Sequence, residues 1–276
     1  MKIAIIGLGL IGGSIAKAIK DNTNHTVYGA DIQQSVVLSA KLIGAIDNEL
    51  DDKTLSDCDF VIVALYPEDI VKYISEKKDI IKKGAIVIDC GGVKRNICNI
   101  GNDIASQNGF TFIGGHPMAG AERSGFASSF GMLFSNASMI LSPSADIDIT
   151  TLQTVKEFFL SIGFGYITIV KPEKHDRVIA YTSQLAHVLS SAYIKSPTAP
   201  EHHGMSAGSF KDMTRVATLN TKMWSELFIE NSDNLVKEID TLISHLQEYR
   251  DAISECDSNK ISALLEDGAQ KKAVCG

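Results

Sequence analysis

Short apolar runs, mostly β-branched, punctuate the first 170 residues and then stop. They are Ile3–Ile6, Thr26–Ala30, Phe60–Leu65, Ala85–Asp89, Thr111–Ile113, Ser138–Leu141 and Tyr166–Val170. Helical or polar stretches separate them, and strands alternating with helices predict a mostly parallel, doubly wound sheet. From Pro172 onward the pattern changes to helical spacing alone. A helix over 174–194 is expected to bury Val178, Tyr181, Leu185, Val188 and Ala192, with a second stripe of Asp176, Ser183, His187 and Ser190. Leu235, Ile239, Leu242, Leu246, Tyr249 and Ile253 mark a long amphipathic helix whose apolar seam suits another helix. Ser258 is expected to cap a last helix running to about Lys272, and 196–204 reads as a turn-rich loop.

The first run opens directly into Gly7, Gly9 and Gly12, with Leu10 and Ile11 between them. Strand, tight glycine turn and helix together form the context that a dinucleotide-binding turn requires. Gly7 allows the turn, Gly9 lets backbone approach a pyrophosphate, and Gly12 lets the helix pack closely on the strand. The second run ends in Asp31, 19 residues after Gly12, where a carboxylate can accept ribose hydroxyls and repel a 2′-phosphate. The expected cofactor is therefore NAD rather than NADP. The expected fold class is α/β: a Rossmann-type NAD-binding domain over 1–170, followed by an all-α domain over 171–276. That helical part, about 105 residues long, is read as a substrate-binding and dimerisation domain, so a homodimer is expected. Packing of the same faces within one monomer is the alternative.

Bulk properties exclude several classes. The 276 residues are 45% hydrophobic and 21% charged, which suits a globular protein with a sizeable core. A formal charge of −7 and the absence of basic runs argue against a nucleic-acid partner. The apolar runs are strand-length, so no membrane span is expected, and the first strand leaves no room for a signal peptide. Cys58, Cys90, Cys98, Cys256 and Cys275 lack metal-ligand spacing and read as reduced thiols of a cytoplasmic protein. No metal is expected, and His202-His203 is taken as solvated.

Three stretches carry candidate chemistry. In Gly114-Gly-His-Pro-Met-Ala-Gly-Ala-Glu-Arg-Ser-Gly125, His116 is read as lying in a loop after the fifth strand, at the sheet edge where such folds bind ligands. A neutral imidazole there can take a hydroxyl proton as hydride leaves the same carbon; a turn histidine bonded to backbone is the bland reading. Arg215, in the segment opening at Gly208, sits in sequence among Phe210, Met213, Val216 and Ala217. It pairs either with Asp212 or with a substrate carboxylate. His187 either lines a cleft between the domains or is a satisfied core histidine.

Taken together, these stretches resemble the prephenate and arogenate dehydrogenase family of tyrosine biosynthesis, across nearly the whole chain. The most specific piece is Gly-Gly-His-Pro-Met-Ala-Gly with Glu122 and Ser124-Gly125. A second is Phe210-Lys-Asp-Met-Thr-Arg215 with Trp224 and Asn231, and a third His175-Asp176 with Ser183 and Leu185-Ala-His187. The resemblance implies that His116 polarises or deprotonates the ring hydroxyl and that Arg215 and His187 hold substrate carboxylates. It also implies Glu122 as an acid near the site, Gly208 and Ser183 among the substrate-binding residues, and Leu65 and Pro67 near the nicotinamide. The implied substrate carries two carboxylates.

Two positions depart from the family pattern. Gly92, in Asp89-Cys-Gly-Gly-Val-Lys94, stands where a serine is usual, so a hydroxyl expected beside the catalytic histidine is missing. A water or Cys90 is the expected substitute. Leu185-Ala186-His187 replaces the commoner Leu-Pro-His. The implied activity is NAD-dependent oxidative decarboxylation of prephenate. The alternatives are arogenate or both substrates, a 3-hydroxyacid dehydrogenase of similar shape, and a non-catalytic NAD-sensing dimer. Neither an ACT domain nor a chorismate mutase segment is expected.

Overall fold

The computed structural model describes every residue except Glu122 and Gly276. Among the described residues eight strands form one sheet. They are β1 (Lys2–Ile6), β2 (Thr26–Ala30), β3 (Asn48–Glu49), β4 (Phe60–Val63), β5 (Ile86–Asp89), β6 (Thr111–Pro117), β7 (Ser138–Pro143) and β8 (Tyr166–Ile169). Their order in the sheet is β3-β2-β1-β4-β5-β6-β7-β8, and only the β6–β7 pair is antiparallel.

The central strands β1, β4, β5 and β6 bury both faces, as continuous apolar runs require when helices cover each side, while the edge strands β3 and β8 stay largely exposed. Ile3, Ile5, Phe60, Ile62, Ile88 and Ile113 face one core, shared with α1 (Leu10–Asn22) and α6 (Ile149–Ser161). The alternate residues Ala4, Ile6, Val61, Val63, Val87 and Phe112 face a second core. There they meet α3 (Asp52–Leu55), α4 (Pro67–Lys77) and α5 (Arg95–Asn108); α2 (Gln34–Leu42) flanks β2 and β3. The period-2 split of each strand between two cores fixes register, because a slip by one residue would exchange the two sets.

β6 continues through Gly114, Gly115 and His116, so His116 is not in a loop; it pairs with Ile140 of β7. The two glycines look like turn residues but serve close packing here. A Cβ on Gly114 would lie 2.4 Å from Cys98 Sγ, and one on Gly115 would lie 2.3 Å from the Asp89 carbonyl oxygen.

Beyond β8 the chain is helical: α7 (Pro172–Ile179), a π-helical turn (Ala180–Leu185), α8 (Ala186–Tyr193), α9 (Gly208–Thr214), α10 (Thr221–Glu230), α11 (Ser232–Ser254) and α12 (Ser258–Cys275). The single helix expected over 174–194 is thus interrupted, and its expected faces change. Val178 and Tyr181 point outward, whereas His175, Asp176, Gln184 and Ser190 are buried. One extra residue in the π turn rotates everything after it, and hydrogen bonds satisfy the buried polar groups before the turn. The cap of α12 is Asp257, whose side chain accepts from Lys260 N at 3.0 Å; Ser258 is already the first helical residue.

The seam of α11 is covered only in part. Leu235 is buried, but Leu246 is 54% exposed and Ile253 60% exposed, and α12 buries none of its residues. No helix of the described residues is long and apolar enough to cross a membrane.

Candidate active site

Parallel strands β1, β4, β5 and β6 end at one edge of the sheet, and the chain reverses direction across the sheet between β1 and β4. Such an edge is where open α/β sheets bind ligands. At the end of β1, Gly7 adopts φ +86°, and its N–H donates to the Ala30 carbonyl at 2.8 Å. A Cβ on Gly12 would stand 1.9 Å from the Gly7 carbonyl oxygen, so glycine there sets how closely α1 approaches β1. At Gly9 the same Cβ would meet nothing within 4 Å. No side chain caps α1, so the N–H groups of its first turn, from Leu10 and Ile11 onward, are available to phosphate.

Asp31 follows β2 and already has work within the protein. One carboxylate oxygen accepts from Leu8 N and the other from Gln33 N, each at 2.9 Å. Each oxygen keeps a second lone pair for a ribose hydroxyl. Leu65 packs beside the glycine turn, within 2.9 Å of where a Cβ on Gly7 would be. Pro67 opens α4, where its missing N–H costs nothing. These features fit a dinucleotide.

At the end of β6, His116 is partly buried and its Nδ1 lies 2.9 Å from Nε2 of His175. His175 Nδ1 in turn lies 2.7 Å from Asp176 Oδ1. Asp176 is held by Lys94 N at 2.7 Å, Arg95 N at 2.9 Å and Arg95 Nε at 3.2 Å. Arg95 extends to Asn231 and Asp233 on the helical side. Asn231 donates to the Asp176 carbonyl and to Gln184 Oε1, both at 2.8 Å, and Gln184 donates to the Leu227 carbonyl at 2.9 Å. A continuous buried network therefore ties the end of β6 and the start of α5 to α7, the π turn and α11.

Electrostatics follow from this burial. His116 is held well below the ordinary imidazole range, first by burial, then by the neighbouring His175 and Lys94. Burial likewise lowers His175, against the opposing pull of Asp176. Burial alone would raise the Asp176 carboxyl, but bonds from His175, Arg95 and Lys94 keep it below its usual value. Fully buried Lys94 pairs with the Asp89 carboxylate, which also accepts from Gly91 N at 2.7 Å and Gly115 N at 3.0 Å.

The other expected site residues fall into a second group. His187 Nδ1 donates to the Ser183 carbonyl at 2.8 Å, and its ring lies on Trp224 with centroids 3.9 Å apart. Ser183 thus meets His187 through its backbone rather than its hydroxyl. Arg215 does not pair with Asp212; it is exposed, with no partner among the described residues, and no contact joins it to His116. Gly208 begins α9, beside a groove lined by His202, Phe210 and Lys211. His202 is not fully solvated, because it stacks on Phe210 at 4.5 Å and bonds Ser206. Glu122 lies outside the described residues. Among the described residues no hydroxyl or thiol bonds His116; its partner is His175. Sequence reasoning quoted His175-Asp176 without giving the pair a task, and it missed Lys94, Arg95 and Gln184. The adjacent imidazole and carboxylate, within a helix that opens on Pro172, were the available signal.

A family model described as the prephenate dehydrogenase nucleotide-binding domain matches residues 15–167, and one described as its dimerization domain matches 171–267. The chain belongs to the prephenate dehydrogenase family. Among its relatives, a cyclohexadienyl dehydrogenase of Zymomonas mobilis is 32% identical over 93% of this chain and 90% of its own length. The arogenate dehydrogenase structure from Synechocystis has a TM-score of 0.83 at 25% identity, covering 100% of both chains. The prephenate dehydrogenase from A. aeolicus, solved with hydroxyphenyl propionate and NAD+, has a TM-score of 0.82 at 28% identity, covering 99% of this chain and 98% of that one. Membership makes this chain an oxidoreductase with a nucleotide-binding domain, and the Rossmann-type sheet followed by helices is the family architecture.

Proposed function

We propose that this prephenate dehydrogenase family member carries out the NAD-dependent oxidative decarboxylation of prephenate to 4-hydroxyphenylpyruvate. The observation that carries the reading is His116, a neutral imidazole with Nδ1 bonded to His175 and no bond at Nε2 among the described residues, at the sheet edge that also bears the glycine turn. Bound NAD supplies the hydride acceptor. The glycine turn, the first turn of α1 and Asp31 would hold it, with Leu65 and Pro67 among the residues that would bind it.

His116 Nε2 takes the ring hydroxyl proton as the carbinol carbon becomes a carbonyl. The ring carboxylate then leaves as CO₂, its bond pair enters the ring, and His116 returns the proton to the phenolic oxygen. Aromatisation makes the overall step downhill, so the protein chiefly positions groups and binds charge. Arg215 supplies a bidentate partner for a substrate carboxylate, which fits an arginine left without an internal partner. His187 offers Nε2 and meets a carboxylate only as imidazolium, since its Nδ1 hydrogen is spent on Ser183. Ser183, Gly208 and Glu122 complete the substrate-binding set. The exposed seam of α11 and the bare α12 support a homodimer through the helical half.

A second reading, arogenate or either substrate, is favoured by the similarity to the Zymomonas cyclohexadienyl dehydrogenase and the Synechocystis arogenate dehydrogenase. The test is NADH formation by purified protein with prephenate and arogenate separately, each with NAD⁺ and NADP⁺. Turnover of prephenate with NAD⁺ is expected. Turnover of arogenate alone would transfer the same chemistry to the second reading, and no turnover with either would refute both.

A further inference from the structure

Three groups stand in file behind Nε2 of His116, and their hydrogen-bonding capacities leave one consistent arrangement. An ionised carboxylate only accepts, so His175 Nδ1, 2.7 Å from Asp176 Oδ1, carries a hydrogen. Neutral His175 therefore has a bare Nε2, which can only accept. His116 Nδ1, 2.9 Å away, must then be the donor. A neutral His116 with hydrogen on Nδ1 has its lone pair on Nε2, the atom that faces away from this file. The anchor cannot swing free, because two backbone N–H groups and Arg95 hold the Asp176 carboxylate, and Asn231 holds its carbonyl. His175 is 2% exposed and Asp176 1%, so water does not compete for these positions. Gly92 has no side chain to offer His116 an alternative partner.

We infer that His175 and Asp176 are positioning residues for the reaction: they fix His116 as the Nδ1–H tautomer and supply the counter-charge when Nε2 takes a proton. The inference rests on His116 being the proton acceptor. Protonation at Nε2 leaves both hydrogen bonds in the file intact, so no proton leaves it. The new positive charge sits one ring away from the Asp176 carboxylate. A buried imidazole without that file would divide between two tautomers and gain charge in an apolar setting, losing much of the roughly 10²–10⁴-fold that a positioned base supplies.

The deciding experiment combines kinetics with ¹⁵N-histidine NMR on the full chain with NAD⁺ bound. His116 is assigned by the signals absent from His116→Asn. In the wild type at pH 8, His116 should carry its hydrogen on Nδ1; a hydrogen on Nε2 would overturn the inference without any variant. His175→Phe, which keeps ring volume and removes the acceptor, should lower kcat with prephenate roughly 10²-fold while KM moves less than about threefold. It should also mix the His116 tautomers. His175→Gln, which retains an accepting oxygen, should recover part of kcat. If His175→Phe folds poorly, His175→Gln and Asp176→Asn, with thermal melts beside kcat, decide the case. Full kcat in both, with the Nδ1–H tautomer retained, would overturn it. A His116→Asn enzyme with near wild-type turnover would instead fail the proton-acceptor reading, and this inference with it. An inactive His116→Asn beside a fully active His175→Phe would fail this inference alone.

Discussion

A methyl group added at Gly9 should leave the fold intact and spoil the nucleotide site, while the same methyl at Gly12 should damage the fold itself. At Gly9 the backbone has φ −69° and ψ −153°, and a Cβ would meet nothing within 4 Å. Alanine there is unstrained, and loss of unfolded-state freedom would even stabilise the protein by about 0.4–1 kcal/mol. The volume it fills is the space the pyrophosphate approaches. A binding loss of at least about 1.4 kcal/mol, tenfold in Kd for NAD⁺, is expected once phosphate no longer reaches the first turn of α1. At Gly12 the Cβ would lie 1.9 Å from the Gly7 carbonyl oxygen, a backbone atom without a flexible chain to yield. Relief requires α1 to move off β1, undoing packing at Ile15 and Ile19, both fully buried. Overpacking of this kind costs about 1–3 kcal/mol or more, and about 2–4 °C of Tm per kcal/mol is expected at this size. Thermal melts and NAD⁺ titration of Gly9→Ala and Gly12→Ala separate the effects. A Gly9→Ala protein with unchanged NAD⁺ affinity would refute the placement of the dinucleotide, and a Gly12→Ala protein with unchanged Tm would refute the packing argument.

Arg215→Ala should raise KM for prephenate by at least about tenfold with a smaller change in kcat, because an exposed, unpartnered arginine contributes charge to binding rather than to the core; unchanged KM in steady-state kinetics would remove it from the site. Asp31→Ser should narrow the preference for NAD⁺ over NADP⁺ and also lower Tm by roughly 3–6 °C, since losing the charged acceptor of Leu8 N costs about 1.5 kcal/mol. A melt that does not move would show that the Leu8 bond contributes nothing. Stability should fall on acidification below about pH 6.5. His116 and His175 both have lowered values in the fold, so the unfolded chain binds protons first. Their contribution is complete above the ordinary imidazole value and is lost as pH drops through the folded ones, at up to about 1.4 kcal/mol per pH unit for each ring. Asp176, bonded to His175 and held below its usual value, stays ionised across that window. Melts at pH 7.5 and 5.5 on wild type and His116→Asn check this, and an equal drop in both would count against it.

Most of the sheet was legible because β-branched runs bounded by turns leave few readings, and the strand starting at Lys2 identifies the glycine turn by context. The failures have physical causes. β3, at Asn48–Glu49, is two polar residues long and has no apolar signature at all. β6 was cut short because Gly-Gly-His-Pro looks like a turn. What keeps it extended is tertiary: Asp89 and Cys98 come so close that only glycine fits, and β7 pairs along it. The π turn over Ala180–Leu185 leaves no mark in a pattern scored at 3.6 residues per turn, and Val178 and Tyr181, read as core residues, stand on the outside.

For the site, the chemistry of single residues was readable and their partnerships were not. His116 stood out by its glycine and proline neighbours, yet its partner lies 59 residues away in sequence. The departure at Gly92 removes a hydroxyl expected beside His116, with a water or Cys90 as the expected substitute. A Cβ there would meet Leu227 Cδ2 at 3.0 Å, so the space beside Gly92 is filled by the helical half. That same half brings His175 to His116 and Asn231 to Asp176. The orientation of His116 is therefore set across the two halves rather than within the loop that follows β5. A buried polar network that is fully hydrogen-bonded is rigid, because breaking any member leaves its partner unsatisfied in a dry setting. Rigidity of this kind holds one imidazole nitrogen free toward a ligand, and a lone serine hydroxyl on a loop would supply it with fewer anchors.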